Sequence, residues 1–175
     1  PLKFWNDKNE NKFKKAYFNK FKNIWHHGDY AEIKDSGGFI IHGRSDTTLN
    51  PGGVRLGTAE IYAEVEKFKE IKESIVVGQS WDNDVRIILF IIMSKNFYLK
   101  EELLLKLKKR IRENASPRHV PSKIIVVRDI PRTKSGKIVE LAVKSIIDGS
   151  KIKNKEALAN PESLEQFKNL KELNN

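Results

Sequence analysis

The chain has 175 residues, 39% hydrophobic and 32% charged, which suits a globular fold with a very polar surface and argues against a disordered or fibrous chain. Its 33 Lys and Arg outweigh 23 Asp and Glu, for a formal net charge of +10, and such a surface favours anionic partners: phosphate-rich cofactors, nucleic acid or lipid headgroups. The chain has no cysteine, and its longest apolar run, 87–93, falls far short of the ~18 residues that cross a bilayer, so the expectation is a cytoplasmic protein without disulfide chemistry or a membrane partner.

The chain opens on Pro1, and its single methionine is Met93; it is expected to be a piece of a longer protein. Phe13, Tyr17 and Phe21 recur at helical spacing and predict a helix over 10–23. Residues 29–43 read as two short strands around the turn Asp35-Ser36-Gly37-Gly38. A loop follows over 47–57, with Asn50-Pro51-Gly52-Gly53 at its centre. Thr58 is placed to cap a helix from Ala59, with Ile61, Val65 and Phe68 on its buried face. Two strands, 73–80 and 85–93, flank the hairpin turn Asp82-Asn83-Asp84. The second is apolar on both faces and is therefore expected at the centre of a covered sheet.

A helix over 100–113 would bury Leu103, Leu107 and Ile111. Pro117 and Pro121 bracket a connection expected to be non-helical, and 123–128 is a further strand. After the loop PRTKSGK, residues 138–148 form a helix with Ile138, Leu141, Ala142, Ser145 and Ile146 on one side. Pro161, with Asn160 as its cap, starts a last short helix whose Leu164, Phe167 and Leu170 have a surface to find. The fold class is α+β: a small domain over 46–150 with a few-stranded sheet and packed helices. Residues 1–45 are the incomplete end of a preceding large domain, and 151–175 are a C-terminal extension.

Three polar loops, 25–29, 43–57 and 131–137, mix glycine with one or two charges. Glycine lets backbone approach a ligand closely, and successive N–H groups in such loops form anion-binding nests. Gly136-Lys137 does not belong to a P-loop, because position 131 is Pro where that motif needs Gly, and Ile138 stands where it needs Ser or Thr. Gly52, Gly53 and Gly57 do not have the spacing of a dinucleotide-binding loop either.

The order of the loops does resemble a known family. Gly28-Asp29, Gly43-Arg44-Ser45-Asp46, Gly53-Val54-Arg55 leading into Ala59-Glu60-Ile61, and Pro131-Arg132-Thr133-Lys134-Ser135-Gly136-Lys137 resemble the C-terminal part of the acyl-adenylate-forming enzymes. Phe4-Trp5-Asn6-Asp7, His27 to Glu32, Leu49 to Gly57, Glu140 to Lys144 and Asn160-Pro161-Glu162-Ser163-Leu164 are most similar to the acetoacetate–CoA ligase branch. The resemblance implies acetoacetate, ATP and CoA as substrates, with Mg²⁺ on the nucleotide, giving acetoacetyl-CoA, AMP and pyrophosphate.

The resemblance also assigns roles. Lys137 would stabilise charge on the α-phosphate while the acid is adenylated, and is implied to be an acetylation site that switches activity off. Asp29 would hold the ribose, Arg44 would lie beside it at the domain junction, and Arg55 would contact nucleotide phosphate. Asp46 would be the hinge about which a mobile C-terminal domain over 46–150 rotates. Gly52 and Gly53 would line the path of the CoA pantetheine in the second half-reaction. The basic stretch 106–112 is a candidate contact for the CoA 3′-phosphate. The resemblance places no metal ligand here. The four histidines, His26, His27, His42 and His119, lack the grouping of a zinc site and read as structural or surface residues.

The adenine pocket, the acid pocket and the phosphate loop of the family would lie in a missing large domain of the same chain, so this chain alone is expected to be inactive. Two other readings stand beside this one. Acetate or another short acid shares the core motifs. A basic nucleic-acid-binding module fits the charge, but the aromatics fall on predicted buried stripes rather than among the lysines, so the expectation is no nucleic acid.

Overall fold

The computed structural model describes residues 2–152 and 154–174; Pro1 lies outside them. The elements in chain order are α1 (Asn11–Tyr17), β1 (Asp29–Ile33), β2 (Phe39–Arg44), α2 (Ala59–Val65), β3 (Ile71–Trp81), β4 (Asp84–Met93), α3 (Glu101–Asn114), β5 (Lys123–Val126) and α4 (Glu140–Ile147), with single 3₁₀ segments at Pro51–Gly53, Pro117–His119, Lys155–Ala157, Pro161–Phe167 and Lys171–Leu173. This is the α+β arrangement expected from the sequence pattern.

The centre is a three-stranded sheet ordered β3-β4-β5. β3 and β4 form an antiparallel hairpin from Ile71↔Met93 to Trp81↔Asp84. Asp82 and Asn83 turn it, with φ of 49° and 57°, the left-handed pair that a two-residue hairpin needs and that Asp and Asn tolerate. β5 adds parallel to β4, with Leu89 opposite Ile124, after a crossover through α3. β4 is therefore central, as its unbroken apolar run predicts. Its alternate residues feed two cores. Ile87, Leu89 and Ile91 join Ile61 and Val65 of α2 and Leu107 and Ile111 of α3. Ile88 and Phe90 join Val143 of α4, Phe167 and Leu173.

The β3 edge of the sheet is answered by side chains, which blunts the open hydrogen-bonding row that invites aggregation. On β3, Val76 N–H donates to the Tyr62 hydroxyl, the Gly78 carbonyl accepts from Lys144 Nζ, and Ser80 N–H donates to Asp148 Oδ1. Past the end of β5, Arg128 N–H donates to Gln166 Oε1.

Five expectations need correction. α1 ends at Tyr17 rather than running to residue 23, and it buries no residue. Its aromatics instead gather around the returning chain: the Tyr17 and Trp25 rings stack at 4.0 Å, and Phe13 meets Phe4 and Trp25 edge to face. The span between Pro117 and Pro121 does hold one helical turn, Pro117–His119, because proline is accepted at its first position. α4 starts at Glu140, not 138, and turns Ala142 and Val143 inward, while Leu141 and Ile138 remain exposed. Neither Thr58 nor Asn160 makes a side-chain cap. The surface that Phe167 finds is the sheet itself, where it packs edge-on against Phe90 with ring centroids 4.9 Å apart, while Leu164 packs with Leu158 against Ala142 of α4.

Candidate functional site

The N-terminal loops converge. β1 and β2 pair antiparallel with Asp29 opposite Arg44, so loops 25–29 and 43–46 meet at one end of the hairpin. Arg44 fills the junction. Its Nε and Nη2 donate to the two Asp46 carboxylate oxygens at 3.3 and 3.4 Å. Its Nη1 donates to the His27 carbonyl at 3.2 Å and stands 3.8 Å from Asp29 Oδ1. The hydrogen bond to Asp46 raises the Arg44 pKa further above its ordinary value, ahead of an opposing desolvation. Asp29 Oδ2 lies 2.5 Å from His27 Nδ1. Gly28 has a φ of +94°, which favours glycine, and a Cβ there would sit 2.9 Å from Arg44 Nη2 and push the guanidinium aside. Tyr17, Trp25, Gly28, Arg44 and Asp46 border a cavity of ≈ 540 Å³. A ring-sized polar ligand fits that space, with a carboxylate and a guanidinium at its rim.

Asp46 sits in the turn after β2. Thr47 and Thr48 hydroxyls both donate to the Arg44 carbonyl, at 3.2 and 2.9 Å. On the other side of the turn stands Glu140, whose carboxylate accepts from the Tyr62 hydroxyl at 2.5 Å; the neighbouring Thr47 and Thr58 hydroxyls oppose the rise of its pKa. Burial raises the Glu140 pKa. Tyr62, buried beside that carboxylate, is pushed up as well.

The loop 47–57 is a hairpin-like excursion closed by the bridge Leu49↔Leu56. Its tip holds Gly52 and Gly53 at φ of 58° and 75°. Gly52 N–H donates to both carboxylate oxygens of Asp84, at 2.9 and 3.0 Å, which fixes the tip to the turn end of the β3–β4 hairpin. A Cβ at Gly53 would meet nothing within 4 Å. Arg55 is exposed beside this tip and makes no hydrogen bond or ion pair among the described residues, so it does not pair with the helix that follows.

Lys137 lies elsewhere. The loop before it is a tight turn: Thr133 N–H donates to the Lys137 carbonyl, Lys137 N–H to Thr133 Oγ1, and Gly136 N–H to the Thr133 carbonyl. Arg132 ties this turn to the beginning of β3 through an ion pair with Glu73. Asp84 and Glu73 therefore mark the two functional loops at opposite ends of the hairpin. Eight residues of strand separate Glu73 from Trp81, the partner of Asp84, or roughly 26 Å at the rise of an antiparallel strand. The structure thus brings Asp29, Arg44 and Asp46 together, and Gly52, Gly53 and Arg55 together, and keeps Lys137 apart from the glycine tip.

His27, expected as a structural or surface residue, is exposed, and nothing in the sequence warned that it would contact Asp29. Glu140, Asp84 and Arg132 carried no local signal, because each acts on a partner distant in sequence. Among the described residues no group of three or more His, Cys, Asp or Glu is arranged to hold a metal ion, and no helix is long and apolar enough to cross a membrane.

Comparison with known proteins places the domain. Residues 60–137 match the family model described as the AMP-binding enzyme C-terminal domain. The chain is 58% identical over 173 residues to an acetoacetyl-coenzyme A synthetase of Rhizobium meliloti, covering 99% of this chain and 27% of that protein. It is 49% identical over 177 residues to the acetoacetyl-CoA synthetase of Xenopus tropicalis, covering 26% of it. The solved acetoacetyl-CoA synthetase of Streptomyces lividans superposes with a TM-score of 0.87 at 37% identity, over 95% of this chain and 25% of that one. The chain thus spans about a quarter of the length of the curated relatives it matches. With its sheet, its loop order and these matches, residues 60–137 of the chain are an AMP-binding enzyme C-terminal domain.

Proposed function

We propose that this chain is the C-terminal quarter of an AMP-forming acid–CoA ligase whose acid is acetoacetate. In the first half-reaction the carboxylate of the acid attacks the α-phosphorus of ATP, and pyrophosphate leaves. Lys137 stabilises the charge that develops on the phosphoryl oxygens, Arg55 grips the nucleotide phosphates through its planar fork, and Asp29 accepts from the ribose hydroxyls beside Arg44. In the second, the CoA thiol attacks the acyl carbonyl and AMP leaves, with Gly52 and Gly53 leaving room for the pantetheine arm. Magnesium rides on the ATP phosphates rather than on residues of this chain. Asp46 is the hinge between 1–45, the end of the large domain, and the part that follows. Acetylation of Lys137 would remove its charge and stop the first half-reaction.

The observation that carries this reading is the separation of the two loops along β3. One reaction centre cannot touch both ends of that strand at once, so a domain turning about Asp46 would present the lysine end for adenylation and the glycine end for thioester formation. The choice of acetoacetate rests on the names of the relatives, since acid-binding residues are not identified in this chain. The test uses the full-length protein with ATP, Mg²⁺ and CoA, and separately acetate, acetoacetate, propionate and butyrate, with AMP and thioester quantified. Acetoacetate should lead in kcat/KM. A lead by acetate or another short acid would overturn the substrate and leave the chemistry. The absence of acid-dependent AMP with all four would overturn both.

A further inference from the structure

Asn160 belongs to a motif that the roles above leave unused, and the structure gives it work other than capping a helix. Its Oδ1 accepts from Arg132 N–H at 2.8 Å. Its Nδ2 donates to Asp129 Oδ2 at 2.6 Å and to the Ile130 carbonyl at 3.0 Å. The backbone just before it continues the pairing: Ala159 N–H donates to the Arg132 carbonyl at 2.8 Å, and Lys134 N–H donates to the Ala157 carbonyl at 3.2 Å. Thr133 and Leu158 form the bridge between these bonds. Residues 157–160 therefore run as a short antiparallel brace along 132–134.

That brace reaches Lys137 in one further step. Both backbone groups of Lys137 are bonded to Thr133, and Thr133 sits between the two residues that the brace holds. Arg132 adds a second tether, with Nη1 on the Gly136 carbonyl and Nη2 on Glu73. The brace is itself anchored, because Leu158 and Leu164 are buried against Ala142 of α4. A glycine-containing loop would otherwise sample many conformations, and fixing it removes that freedom before the ligand arrives.

We propose that Asn160, with the backbone of 157–159, is a positioning element for Lys137: the C-terminal segment holds the lysine loop in the geometry that adenylation uses. The inference rests on the assignment of Lys137 to the first half-reaction. Misplacement of a reacting group by about 1 Å can cost about 10²-fold in rate, so partial release of the loop should cost adenylation about tenfold or more.

The experiment uses the full-length protein carrying Asn160→Ala, with Lys137→Ala and Gln166→Ala as comparisons. Gln166 lies on the same C-terminal segment but bonds Asp129, Arg128 and Ser163 rather than the lysine loop. Adenylation is followed by acetoacetate-dependent exchange of pyrophosphate into ATP, and thioester formation by AMP release from added acetoacetyl-adenylate and CoA. Asn160→Ala should lower the exchange kcat about tenfold with the KM for ATP unchanged, and leave thioester formation within twofold. Gln166→Ala should leave both within twofold. Hydrogen exchange by mass spectrometry should show the amides of 131–137 opening at least tenfold faster in Asn160→Ala. Equal losses in both half-reactions, the same split in Gln166→Ala, or unchanged exchange at 131–137 would each overturn the proposal. Lys137→Ala with undiminished adenylation would overturn the lysine assignment instead, and the amide data would still decide the brace. If Asn160→Ala does not fold, Ala159→Pro, which removes the N–H that the Arg132 carbonyl accepts and fixes φ at that position, is read by the same outcomes.

Discussion

His42 on β2 joins two carboxylates: Nδ1 lies 2.8 Å from Glu60 Oε1 on α2, and Nε2 lies 3.1 Å from Glu32 Oε2 on β1. The hydrogen bond with Glu60 raises its pKa first of all, and Glu32 adds to the rise. A histidine raised on folding stabilises fully below its unfolded value near 6.5, and that stabilisation is lost as pH rises through the folded value. Thermal melts of this chain should therefore show His42→Ala costing several degrees in Tm at pH 6 and much less at pH 9. An equal cost at both pH values would mean that the contact is made by neutral histidine alone. Nothing in the local sequence marks this residue, since its partners lie 10 and 18 positions away. Gly28 is different. The dipeptide Gly28-Asp29 is visible as a turn, and its φ of +94° accounts for the glycine; the Arg44 guanidinium beside it is brought near only by the folded hairpin.

At the scale of elements, the strands and helices of the sheet were readable because burial and periodicity agree there. β4 could be placed at the centre from its composition alone, and Leu107 and Ile111 mark the inner face of α3. Reading failed where an element lacks a core. α1 has the spacing of an amphipathic helix, yet its aromatics pack on one another and on Trp25, so nothing rewards extending the helix past Tyr17. It failed again where side chains serve the backbone of a distant element. Thr58 and Asn160 are good cap residues by type, but Thr58 makes no cap bond and Asn160 turns to Arg132. The motif PRTKSGK was legible as a loop that mounts a lysine. Its contact with residues 157–160 was not, because Asn160 lies 28 positions from Arg132 and the remaining bonds join backbone to backbone.

The whole molecule is built so that the stretch after residue 150, read from sequence as an extension, completes the second core. Leu158, Leu164, Phe167 and Leu173 are at most 6% exposed. Burying such side chains contributes about 1.5–3 kcal/mol each, and a domain of this size has only about 5–15 kcal/mol in total. Removing residues 155–175 should therefore leave a chain without a cooperative melt; circular dichroism against temperature reads this directly. A truncated chain melting within a few degrees of the intact one would show that the sheet does not need the segment.

The central claim is that the two ends of β3 serve different half-reactions. The measurement is the rate of each half-reaction in the full-length protein carrying Lys137→Ala or Gly53→Leu. Losing the lysine should slow adenylation about 10²–10³-fold, as removal of other electrostatic stabilisers does, and leave thioester formation from added acyl-adenylate near its normal rate. Leucine at Gly53, on the open tip of the glycine loop, should block thioester formation and spare adenylation. Both variants slowing both half-reactions to the same extent would contradict the account.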